Sequence, residues 1–320
     1  MMGQLTFDIP GYRAKIKMSS LKHLLVEGKS DKRLFTLLLG EMMGPDHQII
    51  VDCAECIKNE DPMGNRDKVE AVCNPLSMTV HADKIVGFVD REFRGFEISD
   101  TLIDNLSTHR SANQIVWSRG HSIENYFFCL EVLKIPLRSI TKTCFYEEAL
   151  SLLESSLPSI IRLAAAVSMA ALQTDLLSLL GRSITSELLR PSDSRISVDQ
   201  EVWLGALQNR HQLDRIRARA ALDAFELWSS RLEGVNDDTC KWACHGHIGL
   251  SVILASYISL LRLVARQNGS SDTRGEAKDI QKLDDATMMC IFGERWVSLC
   301  KSDGVDSPIE TLKEIGFIPG

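Results

Sequence analysis

Over the first 135 residues the apolar positions come in short runs set apart by polar, glycine-containing stretches. Leu21–Glu27 (LKHLLVE) is such a run, stopped by Gly28. Ser30 then opens a helix over Asp31–Gly40, whose Leu34, Leu37 and Leu38 form one apolar stripe. Ile49–Cys53 (IIVDC), Lys84–Val89 (KIVGFV) and Gln114–Trp117 (QIVW) predict three further strands, and Asp67–Cys73 a helix that Pro75 ends. Runs this short, and apolar on both faces, belong to a mainly parallel sheet covered by helices on both sides. Gly44–Pro45 and Lys58–Asn65 read as connecting loops.

Beyond Leu137 the period changes. Glu147–Leu180, interrupted at Pro158, then Val198–Leu232 and Ile248–Arg266 place apolar residues three and four apart, as amphipathic or buried helices do. Arg190–Ser197 and Gln267–Lys278 are polar and read as surface loops. The pattern therefore predicts an α/β domain over 1–135, a helical domain over 136–235 and a further helical segment over 236–320. The helical half either follows the sheet or interrupts it, with its last segment packing back on the sheet.

Composition narrows the class. With 320 residues, 44% hydrophobic and 25% charged, the chain can bury a large core, which excludes a disordered or collagen-like protein. The 36 Lys and Arg against 43 Asp and Glu give a net charge of -7, so no whole-molecule basic field draws it to nucleic acid or membranes. An anionic partner has to be held by a local patch or by metal ions. Nine cysteines, an odd number, and a start without an apolar signal segment predict free thiols and a cytoplasmic location. The uncharged runs Leu163–Thr174 and Ile248–Leu261 are shorter than the roughly 20 residues that cross a bilayer, so no membrane association is expected.

Acidic residues at strand ends change the picture most. Glu27 follows HLLV, Asp90 follows KIVGFV with Glu92 two positions on, and Glu124 lies just after QIVWSRGHSI. In a parallel sheet the carboxyl ends of the strands share one edge, where ligands bind. Carboxylates brought together there repel unless a cation lies between them, and all-oxygen ligands suit Mg²⁺ or Mn²⁺. Lys29, Lys32, Arg33, Arg91, Arg94 and Arg119 flank these acids, and Arg215 and Arg219 lie one turn apart on a predicted helix. Of these, Lys29, Arg91, Arg119, Arg215 and Arg219 are candidate phosphate contacts. Cys240, Cys244, His245 and His247 have ligand chemistry for zinc, but their spacing fits no standard finger.

The stretches HLLVEGKSDKRLF (His23–Phe35), KIVGFVDREF (Lys84–Phe93) and SRGHSIENYFF (Ser118–Phe128) resemble the Toprim fold. The Ser-Ile-Glu-Asn-Tyr motif is similar to the branch near the overcoming-lysogenization-defect nucleases, which includes the AriB effectors of PARIS phage-defence systems. A short Cys-His-Gly stretch at Cys244–Gly246 extends the likeness. The resemblance implies a Toprim-like sheet and a metal-dependent endonuclease. In it Glu27 is metal ligand or general base, Asp31 the second acid of that turn, Asp90 and Glu92 the metal-binding pair, and Glu124 the last acid. His247 stands where the family stretch continues with Lys, and imidazole can serve as an acid near neutral pH. The implied role is a toxic effector that cleaves RNA, tRNA in particular, or DNA, under control of an ABC-type ATPase of the AriA kind. A homodimer is compatible with it. The competing expectation is a Toprim-derived interaction module without catalysis that docks on the ATPase.

Overall fold

In the computed structural model, the described residues are 7–58, 62–106, 108–192, 194–270, 279–280, 283–302 and 304–319. The loops expected at Lys58–Asn65 and Gln267–Lys278 lie outside them at 59–61 and 271–278. The first elements in chain order are α1 (Ile9–Met18), β1 (Lys22–Val26), α2 (Lys29–Met43), β2 (Ile49–Cys53), α3 (Asn65–Ser77) and β3 (Ile85–Val89). Four short strands follow, β4 (Phe96–Ile98), β5 (Leu102–Asp104), β6 (Arg110–Ala112) and β7 (Ile115–Trp117). Then come α4 (Leu130–Ile140), α5 (Tyr146–Gln173), α6 (Leu177–Ser183), β8 (Leu189–Ser192) and β9 (Arg195–Val198). The last are α7 (Gln200–Asn209), α8 (Arg215–Arg231), α9 (Asp237–Ala243), α10 (Gly246–Gln267), α11 (Asp285–Cys300) and α12 (Ile309–Glu314).

The chain divides into two compact units that do not follow sequence order. The first comprises 1–91, 106–123 and 293–320, the second 92–105 and 124–292. The division thus cuts across the boundaries expected at 135 and 235. The mixed α/β architecture, a sheet flanked by helices and a large helical region, is as the pattern predicts.

The first unit is built on a five-stranded sheet in the order β2-β1-β3-β7-β6, parallel except for β6, which runs antiparallel on β7. Val26 lies opposite both Cys53 and Phe88, and Val89 lies opposite Trp117, so the carboxyl ends of four strands share one edge. On one face Leu25, Ile85, Val89 and Ile115 bury against Ile16 of α1 and Val69, Val72 and Leu76 of α3. Gly87 lets α3 approach the sheet, because an added Cβ would lie 2.5 Å from Val69 Cγ1 and 3.0 Å from Cys73 Sγ. Leu34, Phe35 and Leu38 of α2 are buried, and the Phe35 ring packs 4.6 Å from that of Phe88.

One half-buried carboxylate ties three elements of this unit together. Asp52 Oδ2, in β2, accepts from Tyr12 Oη at 2.7 Å and Lys15 Nζ at 2.9 Å, both on α1, and from His23 Nδ1 of β1 at 3.0 Å. The far nitrogen of His23 meets Ser19 Oγ at 2.9 Å. Burial alone would raise the pKa of Asp52, but the three hydrogen bonds and the charge of Lys15 hold it well below the usual carboxylate range. An ionised carboxylate only accepts, so Nδ1 of His23 carries the proton.

The second unit is mainly helical. α5 packs along α10 and α8, with α6 and α9 also against it, and the β8–β9 hairpin rests on α5 and α10. The small residues Ala164, Ala165, Ala166, Ala170 and Ala171 make α5 a smooth surface for these neighbours. Trp203 is fully buried, meets the Phe225 ring edge-on at 5.1 Å and donates Nε1–H to Ser183 Oγ at 2.8 Å.

Several expectations are corrected. Helix α5 continues through Pro158, and α3 through Pro75. Both prolines are exposed, and the carbonyl that Pro158 leaves unpaired belongs to the exposed residue Glu154, where water can bond it. Arg190–Ser197, expected as a loop, lies within the β8–β9 hairpin, with Arg190 paired to Ser197. The helical segment over 198–232 is broken between Asn209 and Arg215. α5 and α10, at 28 and 22 residues, are long and apolar enough to cross a membrane by length and composition. In this structure 72% and 83% of their most apolar windows are buried.

Candidate active site

The unit division passes through both acidic motifs. Asp90 belongs to the first unit and Glu92 to the second, and Ile123 to the first and Glu124 to the second.

In the first unit, the register of β1 and β3 sets Glu27 and Asp90 at neighbouring strand ends, one residue beyond Val26 and Val89. Glu27 Oε1 accepts the backbone N–H of Asp90 at 2.8 Å, which fixes one oxygen of the first-strand carboxylate against the end of β3. Asp31 is the third residue of α2, and its Oδ2 accepts from Gly28 N–H at 2.9 Å, so it caps the helix that follows Glu27. Beyond β3, Arg91 N–H donates to Ser118 Oγ at 2.8 Å, and Ser118 Oγ donates to the carbonyl of Gly120 at 2.7 Å. These bonds stitch the ends of β3 and β7 together.

The flanking cations differ in their availability. Arg91 is 1% exposed, and its Nη1 donates to the carbonyl oxygens of Arg119 and Leu106 at 2.8 and 3.4 Å. It is placed as an internal brace for the loops, and a phosphate cannot reach it without their rearrangement. Lys29 is exposed and pairs with Glu55 at 2.5 Å, while Arg119 pairs with Asp306 at 2.5 Å. Arg215 and Arg219 are exposed on α8 in the second unit, Arg219 with Asp223 as its partner at 2.8 Å.

In the second unit, Glu124 is buried at the start of a short 3-10 helix over Ile123–Phe127. His247 Nε2 lies 3.8 Å from Glu124 Oε1, within ion-pair range when the imidazole is protonated, and its side chain is 54% exposed. His245 starts α10, and its N–H donates to Ser168 Oγ at 3.0 Å. Burial and the neighbouring His247 push the pKa of His245 down, against the pull of Glu124 and Glu92. These four residues therefore share one electrostatic environment. Cys240 and Cys244, by contrast, are buried thiols with pKa values pushed up by burial to about 11 and about 12.

Asn125, fully buried, is a structural key. Its Nδ2 donates to the carbonyl oxygens of Lys241 at 2.7 Å and Cys244 at 2.8 Å. It thereby joins the Ser-Ile-Glu-Asn-Tyr segment to the Cys-His-Gly turn more than a hundred positions later. Tyr126 adds an edge-on contact with Trp242 at 5.4 Å. Sequence separation hides such a pair, and the only available signal was that both segments carry the same family resemblance.

Two substitutions test this construction. At Gly249 an added Cβ would overlap the buried ring of Phe128 and lie 3.0 Å from Cys244 Sγ. Gly249→Ala is expected to lower stability by about 1–3 kcal/mol through overpacking, despite alanine's higher helix propensity. Thermal unfolding of this variant, alone and with Phe128→Leu, checks it, since the smaller side chain should restore part of the loss. Glu92 adopts φ +51°, a left-handed conformation that costs a non-glycine residue roughly 1–2 kcal/mol. Glu92→Gly is expected to unfold at or above the wild-type temperature, because glycine adopts this conformation without strain.

The resemblance implies a divalent cation, and the donor chemistry fits one. Among the described residues no group of three or more His, Cys, Asp or Glu side chains is placed to hold an ion. Hard cations such as Mg²⁺, however, are commonly held by one or two carboxylates, with waters and substrate phosphates completing the shell. Glu27 and Asp90, at adjacent strand ends of the first unit, are the two carboxylates that the resemblance assigns to such an ion there. No protein-family model matches this chain, and no curated protein matches it at a significant level.

Proposed function

We propose that this chain is a divalent-metal-dependent nuclease of Toprim-like type, hydrolysing phosphodiesters in RNA, tRNA before DNA. The observation that carries the reading is the pair Glu27 and Asp90 at adjacent parallel strand ends, joined by the Asp90 N–H bond to Glu27 Oε1. Glu27 and Asp90 would hold Mg²⁺ or Mn²⁺, with Asp31 keeping the turn after Glu27 in place, and Glu92 is the acid that the resemblance pairs with Asp90. The ion would supply Lewis-acid stabilisation of charge on a phosphodiester. Glu124 and His247 form an acid–imidazole pair suited to moving a proton near neutral pH. Lys29 and Arg119, and Arg215 and Arg219 on α8, are the cations that would bind phosphates. In the cell the reading is that of a cytoplasmic, toxic phage-defence effector held or released by an ABC-type ATPase, with homodimerisation compatible with it.

The direct experiment incubates the purified chain with tRNA and with plasmid DNA in Mg²⁺, Mn²⁺ or EDTA. Cleavage of tRNA in either metal and none in EDTA is expected, together with a rise in unfolding temperature on adding Mn²⁺. Intact tRNA and DNA in all conditions, with no effect of Mn²⁺ on unfolding, would leave the non-catalytic interaction module as the better reading.

A further inference from the structure

Two cysteines of the first unit sit beside the proposed carboxylate pair without belonging to it. Cys53 ends β2 opposite Val26, the residue before Glu27. A single 3-10 turn over Ala54–Cys56 brings the second sulfur back, so that the two free thiols stand 3.2 Å apart. A disulfide bond is about 2.05 Å long, so closure requires the sulfurs to approach by little more than 1 Å. Cys53 is buried and Cys56 is half-buried, so Cys56 is the more accessible residue of the two.

The turn that carries this pair is bonded to the segment that carries Glu27. Glu55 N–H, from between the two cysteines, donates to the Glu27 carbonyl at 3.1 Å. The Glu55 carboxylate accepts from Lys29 N–H at 3.3 Å and from Lys29 Nζ at 2.5 Å. Lys29 and Lys32 also place positive charge near the pair.

We propose that Cys53 and Cys56 form a reversible dithiol–disulfide site whose co-substrate is a low-molecular-weight disulfide such as oxidised glutathione, and that its closure lowers activity at Glu27. The Cys56 thiolate attacks one sulfur of the small disulfide. A mixed disulfide forms on Cys56, and half of the co-substrate leaves as a thiolate. Cys53 then loses its proton to solvent and attacks the Cys56 sulfur, forming the Cys53–Cys56 bond and expelling the second half. The protein thiols give up two electrons and two protons, and the small disulfide becomes two thiols. Burial, then the hydrogen bond and charge of Cys56, hold the Cys53 thiol at about 11. Closure tightens the turn that carries Glu55 and pulls on its bond to the Glu27 backbone.

The covalent site stands on its own geometry, and its effect on cleavage rests on the nuclease reading. The test treats the full chain with oxidised glutathione, alkylates it, digests it with trypsin and weighs the peptides. The peptide ending at Lys58 is expected two hydrogens lighter and unalkylated, and dithiothreitol should reverse this. The Cys53→Ser variant should instead retain glutathione on Cys56. An alkylated peptide in the oxidised wild type, or glutathione found only on exposed Cys144, overturns the site. Oxidation should lower tRNA cleavage by about tenfold or more in the wild type and leave Cys56→Ser unchanged. Unchanged cleavage by the closed wild type overturns the control. Absence of cleavage from both redox forms sinks the nuclease reading and, with it, the control, while the mass result still decides the site.

Discussion

Cleavage by a Glu27→Gln variant is expected to fall by about 10²- to 10³-fold, while its folding stays that of the wild type. Glutamine keeps an oxygen that can accept the Asp90 N–H, so the bond joining the ends of β1 and β3 survives. What it removes is the negative charge that would hold a cation or take a proton. The rise in unfolding temperature with Mn²⁺ should shrink in the same variant, which ties the lost activity to the ion. Glu27→Ala is a harsher change, because it also leaves the Asp90 N–H without this acceptor. If Glu27→Gln cleaves tRNA as fast as the wild type, the strand-end carboxylate is a structural brace and the chemistry lies elsewhere.

The second large effect concerns stability. Asp52→Ala is expected to lower unfolding free energy at pH 7 by about 2–4 kcal/mol, a large part of the roughly 5–15 kcal/mol typical of a folded protein. The substitution strips the Nδ1 partner from fully buried His23 and the Asp52 acceptor from the Tyr12 hydroxyl, and leaves Lys15 without this counter-charge. The side chains of Asp52 and Lys15 are 19% and 30% exposed, so solvent screening keeps the loss below that of a wholly buried pair. The depressed pKa of Asp52 sets the pH dependence. Its stabilisation is complete above the unfolded carboxylate pKa, about 4, and drains away as pH falls towards the folded value. Urea unfolding at pH 7 and at about pH 3 should therefore show the gap between wild type and variant narrowing in acid. A gap that stays constant between the two would mean that the Asp52 network contributes no linkage.

Much of the sheet was legible because its strands are short, apolar on both faces and bounded by glycine or charge. The strands at Ile49–Cys53, Ile85–Val89 and Ile115–Trp117 lie within one residue of the pattern. Helix α1 was not read, although Asp8 caps it, accepting from Gly11 N–H at 2.7 Å, and a proline lies in its first turn. Those two residues were an available signal, hidden by a weak apolar period. The β8–β9 hairpin escaped because Arg190–Ser197 is polar and its burial comes from the helices beneath it. The place of Glu27 and Asp90 at adjacent strand ends was legible from the strand pattern alone. The burial of Arg91 and the reach of Asn125 to Lys241 and Cys244 depend on packing between distant segments, which no local pattern carries.

The discontinuous make-up of the first unit has a consequence for synthesis. Lys22, at the start of β1, donates to the carbonyl oxygens of Gly316 and Phe317 at 3.0 and 2.8 Å. Residues 293–320 therefore complete the unit that carries Glu27 and Asp90, after the roughly 170 residues of 124–292 have been made. At ribosomal speeds that is a delay of about 10–30 s during which the strands exist without their final neighbours. A nascent chain halted at residue 300 should accordingly be far more open to protease between β1 and β3 than one extended past residue 320. The sheet that carries Glu27 and Asp90 would thus gain its full set of neighbours only after residues 293–320 have left the ribosome.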